Sequence, residues 1–267
     1  MISPQQFKRI FKSQRYVLPL LMLVAFAWQM LYVVILSSSA MRQLAEAYFA
    51  IMPPAFKKFM SIMGAGFSSE QFLAFGYTHP SMLFILSFVP VAIAGRFITA
   101  ELEGRSIELL AIRLFPRSRL IFSTWLYIFL AHVLLFTAMM GGTLAGQALT
   151  GLDDGLAGGL ILKIIMSGLL FFTAINSIMV FSATLFDNRG RAMAWGIGFL
   201  LIAFIFDALV KVWEQAAFLK NYSLFHWYQP VDIVNGKYDF STGIPVLTLL
   251  TLFFLGAAVF HFSRRDM

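Results

Sequence analysis

Residues 120–140 read LIFSTWLYIFLAHVLLFTAMM, twenty-one positions without an Asp, Glu, Lys or Arg. A helix rises about 1.5 Å per residue, so about 20 apolar residues cross a hydrocarbon layer roughly 30 Å thick. A run this long is more than a water-soluble core can use, and the bilayer becomes the solvent to consider. Five more long apolar runs, three of them carrying a single charged residue, lie at 16–37, 77–97, 160–185, 192–210 and 244–262. The expectation is an all-α integral membrane protein, one transmembrane domain over residues 1–267 with six spans.

Composition agrees. Of 267 residues, 60% are hydrophobic and 12% charged, against about 25% charged in ordinary soluble domains. Thirty Phe, fourteen Met and a mean hydropathy of +0.80 belong to the same picture. The formal charge of +7 would raise the question of nucleic acid in a soluble protein. In a membrane protein the place of each charge decides its meaning, and no nucleic-acid partner is expected. The chain has no Cys, which excludes disulfides, thiolate metal sites and cysteine nucleophiles together.

The positive-inside rule orients the spans. Lys8, Arg9, Lys12, Arg15, Arg96, Arg105, Arg113, Arg117, Arg119, Arg189, Arg191, Arg264 and Arg265 fall on one side. Arg42, Lys57, Lys58, Lys211, Lys220 and Lys237 fall on the other, and Lys163 lies within a span. Both termini are therefore expected in the cytoplasm, with membrane lipids around the spans. Ser38 to Ala40 offers small residues after the first apolar run, as a secretory signal does, but the run is too long and reads as a retained helix.

Between the spans, Ser3 and Gln6 form a capping box with Pro4 in the first helical position. Phe7, Ile10 and Phe11 share one face of residues 4–15 and four cations occupy the rest, the pattern of a helix lying on a membrane surface. The external segment 38–76 is too long for a bare loop and should contain helix. Pro53 and Pro54 open a stretch in which Phe56, Met60 and Met63 recur at helical spacing and Gly64 ends the turn. The external segment 211–243 carries Trp213, Phe218, Phe225, Trp227 and Tyr228, aromatics of the kind that settle at headgroup depth. Gly142 with Gly146, and Gly151 with Gly155 and Gly159, fall four residues apart, and at the margins of spans three and four they read as a flexible external turn.

Residues 96–119, RFITAELEGRSIELLAIRLFPRSR, set Glu101, Glu103 and Glu108 among five arginines, with Ile107, Leu109, Leu110, Ile112 and Leu114 running through. A short amphipathic helix ending at Pro116 would turn its charges to water and its apolar residues to the span ends or a partner. A solvated loop is the alternative.

Familiar catalytic chemistry is missing from the pattern. There is no GxxxxGK[ST] phosphate loop and no GxGxxG after a strand, so the chain does not bind a nucleotide in either of those ways. His79, His132, His226 and His261 are far apart and form no HExxH. Asp153 and Asp154 are adjacent acids of the sort that hold magnesium against a diphosphate, yet no third acid follows and they fall outside. Met60 with Met63 and Met139 with Met140 read as packing rather than copper ligands. No metal, no cofactor in this chain and no catalytic residue are expected.

Polar groups inside spans carry more information, since a charge at the bilayer centre costs roughly 2.5 to 3.5 kcal/mol on insertion scales. Lys163 and Asp207 both fall in the outer third, where Lys163 snorkels to the headgroups, pairs with Asp207 or contacts a substrate. Thr173, Asn176 and Ser177 make one polar face of span four that bonds a neighbouring helix or lines a pathway. His132 in span three is similar.

Two stretches together resemble a known family. Glu101, Glu103, Gly104, Glu108, Leu109, Leu110, Pro116, Ser118 and Arg119 resemble the E…G…ELL…P.SR segment of type-2 ATP-binding-cassette permeases. Residues 222–236, YSLFHWYQPVDIVNG, followed by an apolar span and the ending FSRRDM, resemble the last external loop, sixth helix and terminus of that family. Arg105 stands where many relatives carry Thr, and Arg113, Leu114 and Phe115 make the approach to Pro116 more basic and bulky. The resemblance implies an exporter permease subunit in a bacterial cytoplasmic (inner) membrane that pairs with a second permease copy or related subunit and docks on a dimer of cytosolic ATPase subunits, which hold ATP and Mg. It implies that Glu101, Glu103, Gly104, Arg105, Glu108, Leu109, Pro116, Ser118 and Arg119 belong to a coupling helix and its flanks, that residues 4–15 make a second contact, and that short external helices cap an outward path. The rival reading is a membrane scaffold or mechanotransmitting assembly factor that uses its external loops on an extracytoplasmic partner protein.

Overall fold

The computed structural model describes residues 3–54, 57, 68–103 and 117–264. Most of these are helical, with no strand among them, and six helical stretches are long and apolar enough to cross a membrane. The protein is an all-α integral membrane protein.

The chain opens with α1 (Pro4–Gln14), α2 (Val17–Ser37) and α3 (Ser39–Ile51). Ser3 caps α1 by accepting from Gln6 N at 3.3 Å, with Pro4 in the first turn. The capping box closes on this side only. Ser3 N donates to Ser123 Oγ at 2.7 Å rather than to the Gln6 side chain, which pins α1 to the third span. Phe7 meets the Tyr127 ring edge-on at 5.2 Å and Ile10 is buried, while Phe11 stays exposed.

Span two differs from the expected 77–97. Helix α4 (Ser69–Thr78) and α5 (Pro80–Ala94) are divided at His79, whose ψ of 134° leaves the helical range and whose Nδ1 accepts from Ser81 N at 3.3 Å. The π-helical turn Gly95–Thr99 and α6 (Ala100–Glu103) continue α5. Apolar Leu73, Ala74 and Tyr77 bury α4 in the protein, so residues first placed in the external segment are part of the bundle. The expected helix after Pro53 falls largely outside the described residues, as does 104–116.

The third span, α7 (Arg117–Thr150), runs ten residues past the expected end at Met140. Gly142 and Gly146 are therefore in a helix rather than in an external turn, and they face α2. A Cβ on Gly142 would collide with the Phe26 carbonyl oxygen, and one on Gly146 would lie 2.8 Å from Val33 Cβ. Small residues four apart let the two backbones approach, which is how helices gain contact when lipid removes the hydrophobic drive for pairing. The turn comes at Gly151, in the left-handed region with φ of 64°.

Helices α8 (Gly158–Leu185), α9 (Arg189–Val212), α10 (Pro230–Val234) and α11 (Phe240–Arg264) complete the order, with 3-10 turns at Glu214–Tyr222 and Phe225–Trp227 between α9 and α10. α8 and span two are central, each 72% buried over its most apolar window, whereas α9 and α11 are 22% buried there and turn Leu201, Ile202, Leu252 and Phe253 outward. Of the external aromatics, Trp213 and Phe218 are exposed as headgroup anchors would be. Phe225, Trp227 and Tyr228 are instead core residues, Tyr228 stacking on Phe171 at 5.4 Å.

Both termini lie at one end. Ser3 sits at Ser123, Thr99 Oγ1 donates to Ala183 O at 2.8 Å, and the Phe181 ring faces His261 at 6.5 Å. The far end is tied by Arg42, which grips Asp154 through both terminal nitrogens at 3.0 and 3.2 Å, and by Gln71 Nε2 donating to Asn235 Oδ1 at 2.8 Å.

Candidate functional site

On α5, Leu83, Phe84, Ser87, Phe88 and Val91 recur at three- and four-residue steps and so form one stripe. On α9, Ile197, Leu200, Leu201 and Phe204 do the same. The two stripes face a groove of about 390 Å³, closed at one end by Pro80 and Phe225. Phe84, Phe88 and Leu201 are exposed at its edge, so the groove opens sideways, toward lipid. No charged side chain lines it.

Toward the far end the lining becomes polar. A smaller hollow shares Pro80, Leu83, Phe204 and Phe225 with the groove and adds Thr78, Asp207, Lys211 and Gln229. Asp207 is buried; Lys211 Nζ lies 2.8 Å from its Oδ2 and Ser223 Oγ donates to its Oδ1 at 2.6 Å. A carboxylate in such a place stays tolerable because it is paired and hydrogen-bonded. Lys163, the other charge expected in a span, is exposed on α8 and does not pair with Asp207. An apolar groove with a polar hollow at one end suits a molecule that is itself amphipathic.

His226 stands beside this hollow, its ring 5.0 Å from that of Trp227. Burial, with the Lys220 and Lys211 charges against the opposing pull of Asp207, pushes the imidazole down to about 4. The unfolded chain then binds more protons than the folded protein between the ordinary value of 6.5 and about 4, so acidification across that window lowers stability. Asp232, raised by burial, acts in the opposite sense. Thermal unfolding in detergent from pH 7.5 to 4.5 should show a falling midpoint for the wild type and a shallower fall for His226→Gln; equal slopes would refute the assignment.

Deeper in the protein, His132 Nε2 lies 3.0 Å from Leu86 O, its Nδ1 lies 3.0 Å from Ile128 O, and Asn176 Nδ2 is 3.4 Å from Nδ1. The ring stacks on Phe172 at 5.0 Å. Trp125 Nε1 donates to Ser177 Oγ at 2.9 Å, while Thr173 bonds back to Leu169 O within its own helix. Asn176 and Ser177 of the α8 polar face thus bond to α7, and His132 of α7 in turn reaches α5. Asp154 of the adjacent acids is held by Arg42 and by Ser69 Oγ at 2.6 Å. Among the described residues no three His, Asp or Glu gather as a metal site would require.

At the end bearing the termini, Glu103 accepts from Asn188 Nδ2 at 2.8 Å and from Arg189 N at 3.2 Å. The foot of span two is thereby fastened to the N-terminus of α9, where a carboxylate also satisfies orphan N–H groups. Asn188 itself caps α9 by accepting from Arg191 N at 3.0 Å. Glu101 is on α6, and Ser118 and Arg119 lie in the first turn of α7. Gly104, Arg105, Glu108, Leu109 and Pro116 lie outside the described residues.

The chain matches no family model, no curated protein and no solved structure.

Sequence reasoning missed the groove and the Glu103–Asn188 fastening. The stripe on α5 was visible as spacing, but its partner on α9 is more than a hundred residues away and only folding identifies it. Asn188 before an apolar run was a readable cap signal.

Proposed function

We propose that this chain is the permease subunit of an ATP-driven exporter, similar to type-2 ATP-binding-cassette permeases, in a bacterial cytoplasmic membrane with both termini in the cytoplasm. The observation that carries the reading is the Glu103 fastening. Glu103 leads directly into the arginine-rich segment that would seat on a partner, and it holds the feet of the two helices that line the groove. A push on that segment is delivered to α5 and α9 together, and movement of these two helices changes the width of the groove between them. The work comes from ATP on a separate cytosolic ATPase dimer, which also holds the Mg, and a second permease copy or related subunit completes the assembly. The chain contributes a path and a lever rather than a reacting group.

The test is affinity purification from native membranes in mild detergent. An ATP-binding-cassette protein should be recovered in one-to-one ratio, and Glu108→Ala should reduce that recovery roughly tenfold, the loss expected for a charged hydrogen-bonding contact. Folded permease recovered without such a protein would sink the proposal in favour of a scaffold acting through the far-end segments on an extracytoplasmic partner.

A further inference from the structure

At the end bearing the termini, Arg9, Lys12 and Ser13 of α1, Arg96, Phe97 and Ala100 at the foot of span two, and Arg189 of α9 enclose an open recess of about 490 Å³. Four of these seven side chains are cationic, and none of the lining residues is acidic. A positive-inside bias puts cations on one side of a membrane protein but does not gather them from three separate elements around one hollow.

The backbone is arranged for the gathering. Arg96 and Phe97 belong to the π-helical turn Gly95–Thr99, a distortion that occurs frequently at functional sites. Gly95, at the start of that turn, leaves room for the first turn of α9: a Cβ there would lie 2.9 Å from Met193 Cγ and 3.8 Å from Arg189 Cγ. The Arg9 and Arg96 guanidiniums both face the Phe97 ring, at 5.9 and 5.7 Å from its centroid. The Ser13 hydroxyl is buried without a hydrogen-bond partner and so offers a donor to whatever enters. Glu103, one of the described carboxylates at this end, accepts from Asn188 Nδ2 and Arg189 N.

Guanidinium forks, one ammonium and a hydroxyl around a hollow match the oxygens of a phosphate. The recess lies where α1 meets the ends of the spans, with Phe11 and Tyr16 exposed beside it as interfacial side chains. We propose that this recess binds a phosphate, presented by the headgroup of an anionic phospholipid in the leaflet on the side of the termini. Bound there, the headgroup would bridge α1, the foot of span two and the start of α9.

The experiment measures thermal unfolding of the full-length protein in a neutral detergent. Dioleoylphosphatidylglycerol, dioleoylphosphatidylcholine and inorganic phosphate are titrated separately. Phosphatidylglycerol, and not phosphatidylcholine, should raise the midpoint saturably. The half-saturating concentration should rise roughly tenfold in Arg96→Ala with Arg189→Ala, two charges each worth about a few-fold at a membrane surface. It should stay unchanged in Arg15→Ala with Arg264→Ala, cations of the same end that stack on Tyr16 and Phe260 outside the recess. Should the alanine pair not fold, Arg96→Lys with Arg189→Lys keeps the charge and loses the forks, and an intermediate weakening is expected. An equal rise with inorganic phosphate, lost in the alanine pair, would support the site and assign it a soluble source. A rise that survives in the alanine pair, or that falls equally in the control pair, would overturn the proposal.

Discussion

Gly142→Leu should leave almost no folded protein in the membrane fraction. The Phe26 carbonyl carbon and Cα lie 3.0 and 3.1 Å from where a Cβ would be, and the carbonyl oxygen is closer still. Backbone cannot step aside as a flexible side-chain tip can, so α2 must leave α7. Overpacking in a soluble core costs about 1–3 kcal/mol, and forcing two helix backbones apart should reach or exceed the upper figure. Gly142→Ala should lower the thermal midpoint in detergent in the same direction by a smaller amount. Gly159→Ala, at a helical glycine with nothing within 4 Å of the added carbon, is the control and should be neutral or slightly stabilising. If Gly142→Leu accumulates and unfolds like the wild type, the close α2–α7 contact is wrong.

If the proposed exporter reading holds, Glu103→Ala should uncouple ATP turnover from transport while leaving the protein folded. Two hydrogen bonds accepted by one carboxylate hold α6 to α9, and bonds to charged groups contribute about 1.5–3 kcal/mol each when sheltered, less where water competes. Their joint loss would weaken the link by enough for roughly a tenfold fall in coupling. Coupling is read as ATP turnover of the reconstituted complex in liposomes relative to the free ATPase. Asn188→Ala should produce much of the same defect, and the double substitution should add little to either, as expected of partners in one interaction. Additive effects, or normal coupling in Glu103→Ala with the ATPase still bound, would remove Glu103 from the lever.

The reach of sequence reasoning differs from element to element. Spans four, five and six emerged within a few residues of their places, since apolar length is a property of the chain alone and the bilayer reads it directly. Span three was cut short because Gly142 and Gly146 lower local helix preference, and a packing partner is what makes glycine favourable there. Phe225, Trp227 and Tyr228 looked like interface anchors because an amphipathic ring suits headgroup depth and core alike. Lys163 and Asp207 were natural partners by depth, yet Lys211 is one helical turn from Asp207 and needs no neighbour to reach it.

By itself, then, the sequence determined the solvent and the secondary structure: six stretches too apolar for water, helical because a lone segment in hydrocarbon must satisfy its own backbone. It also determined the bias of cations toward one side. The tertiary structure alone decided which faces of those helices meet. A groove between α5 and α9, a carboxylate joining residues 103 and 188, and a basic recess drawn from three elements all depend on contacts distant in sequence. When lipid and protein interior are equally apolar, hydropathy does not distinguish them, and close packing and hydrogen bonds settle the arrangement.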